Sequence, residues 1–201
     1  MDPIQTGNQY NVIAHVWDEQ QKDSSYGIES LMRAIEYCNQ FDYQRKIALD
    51  IGCGSGGRMM RLLVQHEFGI VGLDISESMV TLAKQKHPEY IFHHADICTW
   101  QTQEQFQCII AWDSIFHVPY DQQEQVLIKL CSMLVKDGIL LFTCGDDIGY
   151  HLSEWQDMSF YYSSLGINRT LEILMQNNCD IRHVELDQFP QKHTVIIAKK
   201  Y

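Results

Sequence analysis

Short apolar runs alternate with segments of helical period along most of this chain. Strands are expected at 46–51, 69–73, 90–93, 108–112 and 139–143, each bounded by polar or glycine-containing stretches. Between them, apolar residues recur three and four apart, which predicts helices over 57–66, 76–86 and 121–134. Ser76 has the hydroxyl an N-cap needs, His87-Pro88 stops the helix it would open, and Lys136-Asp137-Gly138 reads as a turn into the last of these strands. Strand-helix alternation of this kind predicts a parallel sheet covered on both faces, with right-handed crossovers.

Both ends of the chain depart from that rhythm. Residues 1–45 read as a helical cover in two pieces, one running from Tyr10 to Asp18 and the other from Ile28 to Phe41, joined by a loop from Lys22 to Gly27. The core is expected over 46–143. A helix at 165–175 ends at Asn177-Asn178, and two alternating strands, 180–186 and 194–199, then form a hairpin that supplies one antiparallel edge strand. The intervening 144–164 shows little periodicity. Long connections of this sort are commonly lids or substrate walls. This one has an aromatic set, His151, Trp155, Phe160, Tyr161 and Tyr162, suited to a small, partly apolar acceptor. The alternative is packing of the following helix.

The candidate chemistry gathers at Ile47-Ala48-Leu49-Asp50-Ile51-Gly52-Cys53-Gly54-Ser55-Gly56-Gly57, an apolar strand that stops at closely spaced glycines before a helix. Glycine lets the backbone take positive φ and lets a ligand approach the main chain, and the amides opening the helix face whatever lies in the turn. Gly52-x-Gly54-x-x-Gly57 fits the dinucleotide fingerprint, and Asp74 stands about 20 residues further on, where a ribose-binding acid belongs. Several nucleotide-binding families share those features. Asp50 decides among them, because an acid beside the turn would repel a pyrophosphate and suits a cationic ligand end. The acid-x-Gly-x-Gly spelling resembles motif I of the class I S-adenosylmethionine-dependent methyltransferases. The resemblance implies an α/β, Rossmann-like, doubly wound seven-stranded sheet of order 3-2-1-4-5-7-6, with strand 7 antiparallel. It implies S-adenosylmethionine as cofactor, S-adenosylhomocysteine as product, and no metal.

The same resemblance distributes roles. Asp50, Gly52, Cys53 and Gly54 would hold the amino-acid end of the cofactor and Asp74 its ribose. Ile75 and Met79 would pack on the adenine, with Asp96 and Ile97 hydrogen-bonding its edge. A helix-capping role for Asp74 and a solvated loop role for Asp96 are the alternatives. Asp113-Ser114-Ile115-Phe116-His117-Val118-Pro119 resembles the Asp-x-x-x-His-x-Pro loop of small-molecule methyltransferases. It places Asp113 beside the methionine end and His117 as a general base, or else as a histidine tying the loop to carbonyls. Tyr161, in a segment that looks like part of a bacterial methyltransferase group, is the second catalytic candidate. Tyr10 to Asp18 resembles the Tyr-Asp-x-x-Ala-x-x-Tyr-Asp entry segment of small-molecule methyltransferases, with Asn11 and Trp17 as the departures. Tyr10 and Trp17 therefore join His151, Trp155 and Tyr162 as candidate substrate walls.

Composition narrows the partners. Fifteen Lys and Arg against 26 Asp and Glu give a net charge of −11, which disfavours nucleic acid and acidic membranes. The seven cysteines are scattered with no C-x-x-C, as reduced core cysteines would be, and no apolar run is long enough to span a membrane. A cytoplasmic enzyme acting on a small-molecule acceptor, as monomer or homodimer, is the expectation. A nicotinamide-dependent oxidoreductase and a non-catalytic S-adenosylmethionine-binding protein are the alternatives.

Overall fold

The computed structural model describes residues 2–41 and 45–201. The expected helical cover therefore lies outside the described residues at positions 1 and 42–44. Strands β1 (Ile47–Ile51), β2 (Gly69–Asp74), β3 (Ile91–His94), β4 (Phe106–Ala111), β5 (Leu134–Gly145), β8 (Cys179–Glu185) and β9 (His193–Lys200) form one sheet of order β3-β2-β1-β4-β5-β9-β8. Pairing is parallel from β3 to β5, and β9 runs antiparallel to both its neighbours. That is the expected seven-stranded order. Helices α2 (Ile28–Cys38), α3 (Arg58–Gln65), α4 (Glu77–Lys86), α5 (Gln123–Met133) and α6 (Gly166–Gln176) cover the two faces.

The period-2 geometry of strands explains how one sheet fills two cores. Leu49 and Ile51 of β1, with Ile109 and Ala111 of β4, pack under α5 and α6. Ala48, Cys108 and Ile110 point the other way, under α2 and α3. Burying each large apolar side chain in these layers stabilises the fold by about 1.5–3 kcal/mol. Ser76 caps α4 as expected, its hydroxyl accepting from the Met79 amide at 3.2 Å. Carboxyl ends of β1 and β4 diverge where the strand order reverses, and this opens a crevice at the switch point.

Three local expectations are corrected. The first helix, α1 (Pro3–Gln21), starts well before Tyr10, because Asp2 caps it through the Ile4 amide and Pro3 occupies its first turn. Strand β5 starts at Leu134, and Lys136-Asp137-Gly138 lies in an irregularity within it, with Asp137 at φ 65°. The aperiodic stretch after β5 is a regular antiparallel hairpin of β6 (Ile148–Trp155) and β7 (Met158–Leu165), forming a two-stranded sheet of its own. Its turn residues, Gln156 and Asp157, both have positive φ, the conformation of a tight two-residue hairpin turn.

Candidate active site

The glycine turn is built on β1 and braced by β2. Amides of Gly52 and Cys53 donate to the Leu73 carbonyl at 2.7 and 3.1 Å, and the Gly54 amide donates to Asp74 Oδ2 at 2.8 Å. Gly52 has φ +70°, and a Cβ there would lie 2.3 Å from Cβ of Ser114, so this position admits no side chain. Gly54, at φ +54°, has nothing nearer its absent Cβ than Trp17 Nε1 at 4.0 Å and therefore opens on free space. Asp74 also accepts from the Ser76 amide, at 2.8 Å, through Oδ1. It braces the turn and caps a loop, while each carboxylate oxygen keeps a lone pair for a ligand. Burial raises its carboxyl above the usual range, although the Ser76 and Gly54 amides pull the other way.

Asp50 is 4% exposed. Burial, reinforced by repulsion from Asp74 and opposed by Arg58, pushes its carboxyl up to about 7. A buried acid poised there becomes an anion as soon as a cation is placed beside it. Cys53 is buried too, and its thiol is pushed well up, which makes it inert packing rather than a nucleophile. Asp96 turns its own loop, Oδ1 accepting from the Cys98 amide at 2.8 Å.

Asp50, Gly52, Cys53, Gly54, Asp74, Ile75, Met79, Asp96, Ile97 and Asp113 all line one cavity of about 550 Å³ at the switch point. Tyr10, Trp17 and His117 line it as well. Its buried Ser114 hydroxyl and Trp112 indole Nε1 lack hydrogen-bond partners among the described residues. A bare glycine floor, a poised acid, an apolar wall of Ile75 and Met79, and unpaired donors fit a ligand with a cationic end and a flat heterocycle. These residues fit S-adenosylmethionine. Among the described residues, no group of three or more His, Cys, Asp or Glu is arranged to hold a metal ion, and no helix is long and apolar enough to cross a membrane.

Helix α1 closes the cavity from above. Its Asn11 Oδ1 accepts from the Ser76 hydroxyl at 2.8 Å and from the Ser78 amide at 3.0 Å. Asp18, two turns further along the same face, accepts from Ser55 at 2.5 Å and pairs with Lys86. Tyr10 and Trp17 therefore line the cavity from a helix clamped at its middle and near its C-terminal end.

His117 stands opposite. Its Nδ1 lies 2.7 Å from the Tyr161 carbonyl, which can only accept, so Nδ1 carries the proton. Burial lowers its pKa to about 4 despite that carbonyl and Asp113, so the ring is neutral and Nε2 is an acceptor. The Tyr10 hydroxyl, 3.1 Å away, donates to it. The catalytic role expected of Tyr161 meets a different placement. That ring is 6% exposed, does not line the cavity, and its hydroxyl accepts from the Tyr120 amide at 3.1 Å. His151, Trp155 and Tyr162 do not line the cavity either. They form an outer layer: Tyr162 stacks on His151 at 5.4 Å and meets His117 at 4.8 Å, while Trp155 sits edge-on to Trp17 at 5.5 Å.

Sequence reading missed a chain of charges beneath Asp113. Asp113, at φ 48°, has Oδ1 3.0 Å from His193 Nε2, and the other ring nitrogen of His193 meets Asp187. Burial lowers the His193 pKa, but the Asp113 and Asp187 carboxylates more than offset it, and the net shift is upward. Pairing of His193 with Gly145 across β5 and β9 creates this contact, and no local spacing announces it.

Comparison with known proteins agrees with the geometry. Residues 48–138 match the family model described as a methyltransferase domain. The ubiquinone biosynthesis O-methyltransferase of Coxiella burnetii is 34% identical over 109 residues, covering 51% of this chain and 44% of that protein. The trans-aconitate 2-methyltransferase of Variovorax paradoxus is 30% identical over 100 residues, or 49% and 38%. The chain thus spans less than half the length of these relatives. Magnesium protoporphyrin IX methyltransferase from Synechocystis PCC 6803, solved with S-adenosylmethionine bound, superposes with a TM-score of 0.72 at 16% identity, covering 100% of this chain and 98% of that one. The 1,6-didemethyltoxoflavin-N1-methyltransferase of Burkholderia thailandensis gives 0.74 at 14%, covering 97% and 87%. Motif, matched segment and fold agree: the chain has the fold of the class I S-adenosylmethionine-dependent methyltransferases, and residues 48–138 match the methyltransferase-domain model.

Proposed function

We propose that this chain transfers a methyl group from S-adenosylmethionine to a small-molecule acceptor. The observation that carries the reading is the convergence of three strand-end acids, Asp50, Asp74 and Asp96, with the glycine floor on a single cavity. Asp50 would face the ammonium of the methionine end, its carboxyl ionising as that cation arrives. Asp74 would accept from the ribose hydroxyls, and Ile75 and Met79 would flank the adenine against Asp96 and the Ile97 amide. Bound there, the cofactor supplies an electrophilic methyl on a sulfonium, so alignment and exclusion of water account for most of the acceleration. The residues available to align an acceptor are Tyr10, Trp17 and His117, held by the clamped α1 and by the hairpin behind them. A small molecule suits this roofed space, and the matched relatives are named for small-molecule substrates.

Isothermal calorimetry with S-adenosylmethionine and, separately, NADH tests the reading on wild type and Asp74→Ala. Binding of the first near the micromolar range, weakened by the substitution and absent for NADH, is expected. Folded protein that binds NADH and not S-adenosylmethionine would overturn it.

A further inference from the structure

The Tyr10–His117 pair has a direction. The carbonyl of Tyr161 fixes the proton of His117 on Nδ1, so Nε2 accepts from the Tyr10 hydroxyl at 3.1 Å. With its own proton committed to the imidazole, the Tyr10 oxygen can offer only lone pairs to any third group. A group placed beside it must therefore be a donor. Other charges facing the pair are Asp74 and Asp113 towards Tyr10 and Asp113 towards His117, with the neutral Tyr162 hydroxyl beside them. Tyr10 stays protonated in this buried, acid-flanked position, its pKa being raised.

The surroundings also restrict what that donor sits on. Tyr10 meets Trp17 edge-on at 6.0 Å and tilts against Phe160 at 5.2 Å, so the wall beside its hydroxyl is aromatic. The cavity's cations are engaged at the glycine-turn end. Arg58 donates to the Tyr26 carbonyl and Gln21, Arg61 to the Lys22 carbonyl, Lys22 pairs with Glu19, and Lys86 pairs with Asp18. Among the described residues that line the cavity, none at the Tyr10 end offers a counter-ion to an acceptor carboxylate, which would face Asp113.

Building on the methyltransferase reading above, we propose that Tyr10 and His117 form a proton relay and that the acceptor is a neutral hydroxyl on a planar ring, of the phenol or enol kind. In the step, a lone pair of the acceptor oxygen forms the new O–CH3 bond, and the C–S electron pair stays on sulfur. The acceptor proton passes to Tyr10 Oη as the Tyr10 proton passes to His117 Nε2. The positive charge thus leaves sulfur and arrives on the imidazolium, which returns its proton to water when product leaves. An alkylated hydroxyl is far more acidic than imidazolium, so even a weakly basic histidine takes this proton. A neutral His117 before the step also avoids repelling the sulfonium. Tyr10 is the residue that touches the reacting oxygen, and His117 acts through it.

Two measurements test the relay. In 15N spectra of histidine-labelled protein without cofactor, with His117 assigned by its loss in His117→Gln, Nδ1 should be protonated and Nε2 bare. Tyr10→Phe should move the Nε2 resonance. A protonated Nε2, or no response to Tyr10→Phe, overturns the pair. Methyl transfer from S-adenosylmethionine is then followed at pH 8.5 with catechol, 4-nitrophenol and aniline. Tyr10→Phe and His117→Gln should each slow transfer to catechol about a hundredfold or more. 4-Nitrophenol, ionised at this pH, has no proton to relay and meets the Tyr10 lone pairs as an anion, so wild type should methylate it more slowly than catechol and the two substitutions should change that rate only a fewfold. Equal losses with both phenols reduce the pair to positioning and overturn the relay, and preference for aniline or transfer to neither phenol overturns the hydroxyl assignment. Calorimetry on the same samples separates these failures, because lost S-adenosylmethionine binding by wild type would strike the methyltransferase reading itself.

Discussion

Gly52 and Gly54 separate what the turn needs to fold from what the ligand needs to fit. Both have positive φ, so alanine at either position costs about 1–2 kcal/mol for the left-handed backbone. Only at Gly52 does the added methyl strike something, the Cβ of Ser114 at 2.3 Å. Ser114 leads directly into the short helical turn Ile115–His117, so it cannot retreat without moving buried Ile115. Overpacking of that kind costs about 1–3 kcal/mol more. Gly52→Ala should therefore lose about 2–5 kcal/mol in urea unfolding, and Gly54→Ala only about 1–2. Cofactor affinity should not follow the same order. The methyl of Gly54→Ala projects into the cavity, so this milder variant should still bind S-adenosylmethionine about tenfold or more weakly, a loss of about 1.4 kcal/mol. Chemical denaturation and calorimetry on both variants give the four numbers. Equal stability of the two would refute the Ser114 contact, and wild-type affinity in Gly54→Ala would refute the location of the ligand.

Two titrations follow from the buried charges. The Asp50 carboxyl rises from 3.8 unfolded to about 7 folded, so its contribution favouring the fold is fully present below pH 3.8 and lost as pH rises through 7. Asp50→Asn lacks that loss and should exceed wild type by on the order of 4 kcal/mol at pH 8 while binding S-adenosylmethionine poorly; parallel stability–pH curves would contradict this. His193 has a raised pKa, so the stabilisation it gains between Asp113 and Asp187 is full below 6.5 and fades as pH rises beyond its folded value. The stability gap between wild type and His193→Gln should accordingly narrow from pH 6 to pH 9 in thermal melts, and a constant gap would contradict the ionic account.

The parts of the molecule that were legible beforehand are those whose causes are local. Asp50, Asp74 and Asp96 each lie within two residues of the carboxyl end of a strand, so the strand pattern places them on one edge of a parallel sheet. Ser76 declares its cap in the same way. In β6 the residues Ile148, Tyr150 and Leu152 do alternate with Gly149, His151 and Ser153, but the apolar ones are exposed, so the alternation marks no buried face and the strand does not read as part of a core sheet. The hairpin turn uses Gln156 and Asp157 where an Asn-Gly pair would have been recognisable. The length of α1 was hidden by polar residues at Gln5, Asn8 and Gln9, on a helix that touches the core by one narrow stripe. The Asp113–His193–Asp187 chain depends on β5–β9 register, and Tyr10–His117 joins groups 107 residues apart. Such contacts become visible only once the topology is known.

β6 and β7 share no ladder with the seven-stranded sheet, and the hairpin is tied to the domain through β7, by Tyr161 to His117 and by Ser163 to Gln123 and the Val118 carbonyl, which leaves β6 as its outer strand. Residues can be added at its tip or exchanged along β6 without shifting the register of any strand that holds the glycine turn. His151 and Trp155, the β6 members of the outer aromatic layer, can therefore be exchanged while the glycine turn stays fixed. A laboratory library confined to 148–155 would test whether this ribbon sets acceptor preference while leaving the buried Phe160, Tyr161 and Leu165 of β7 in place.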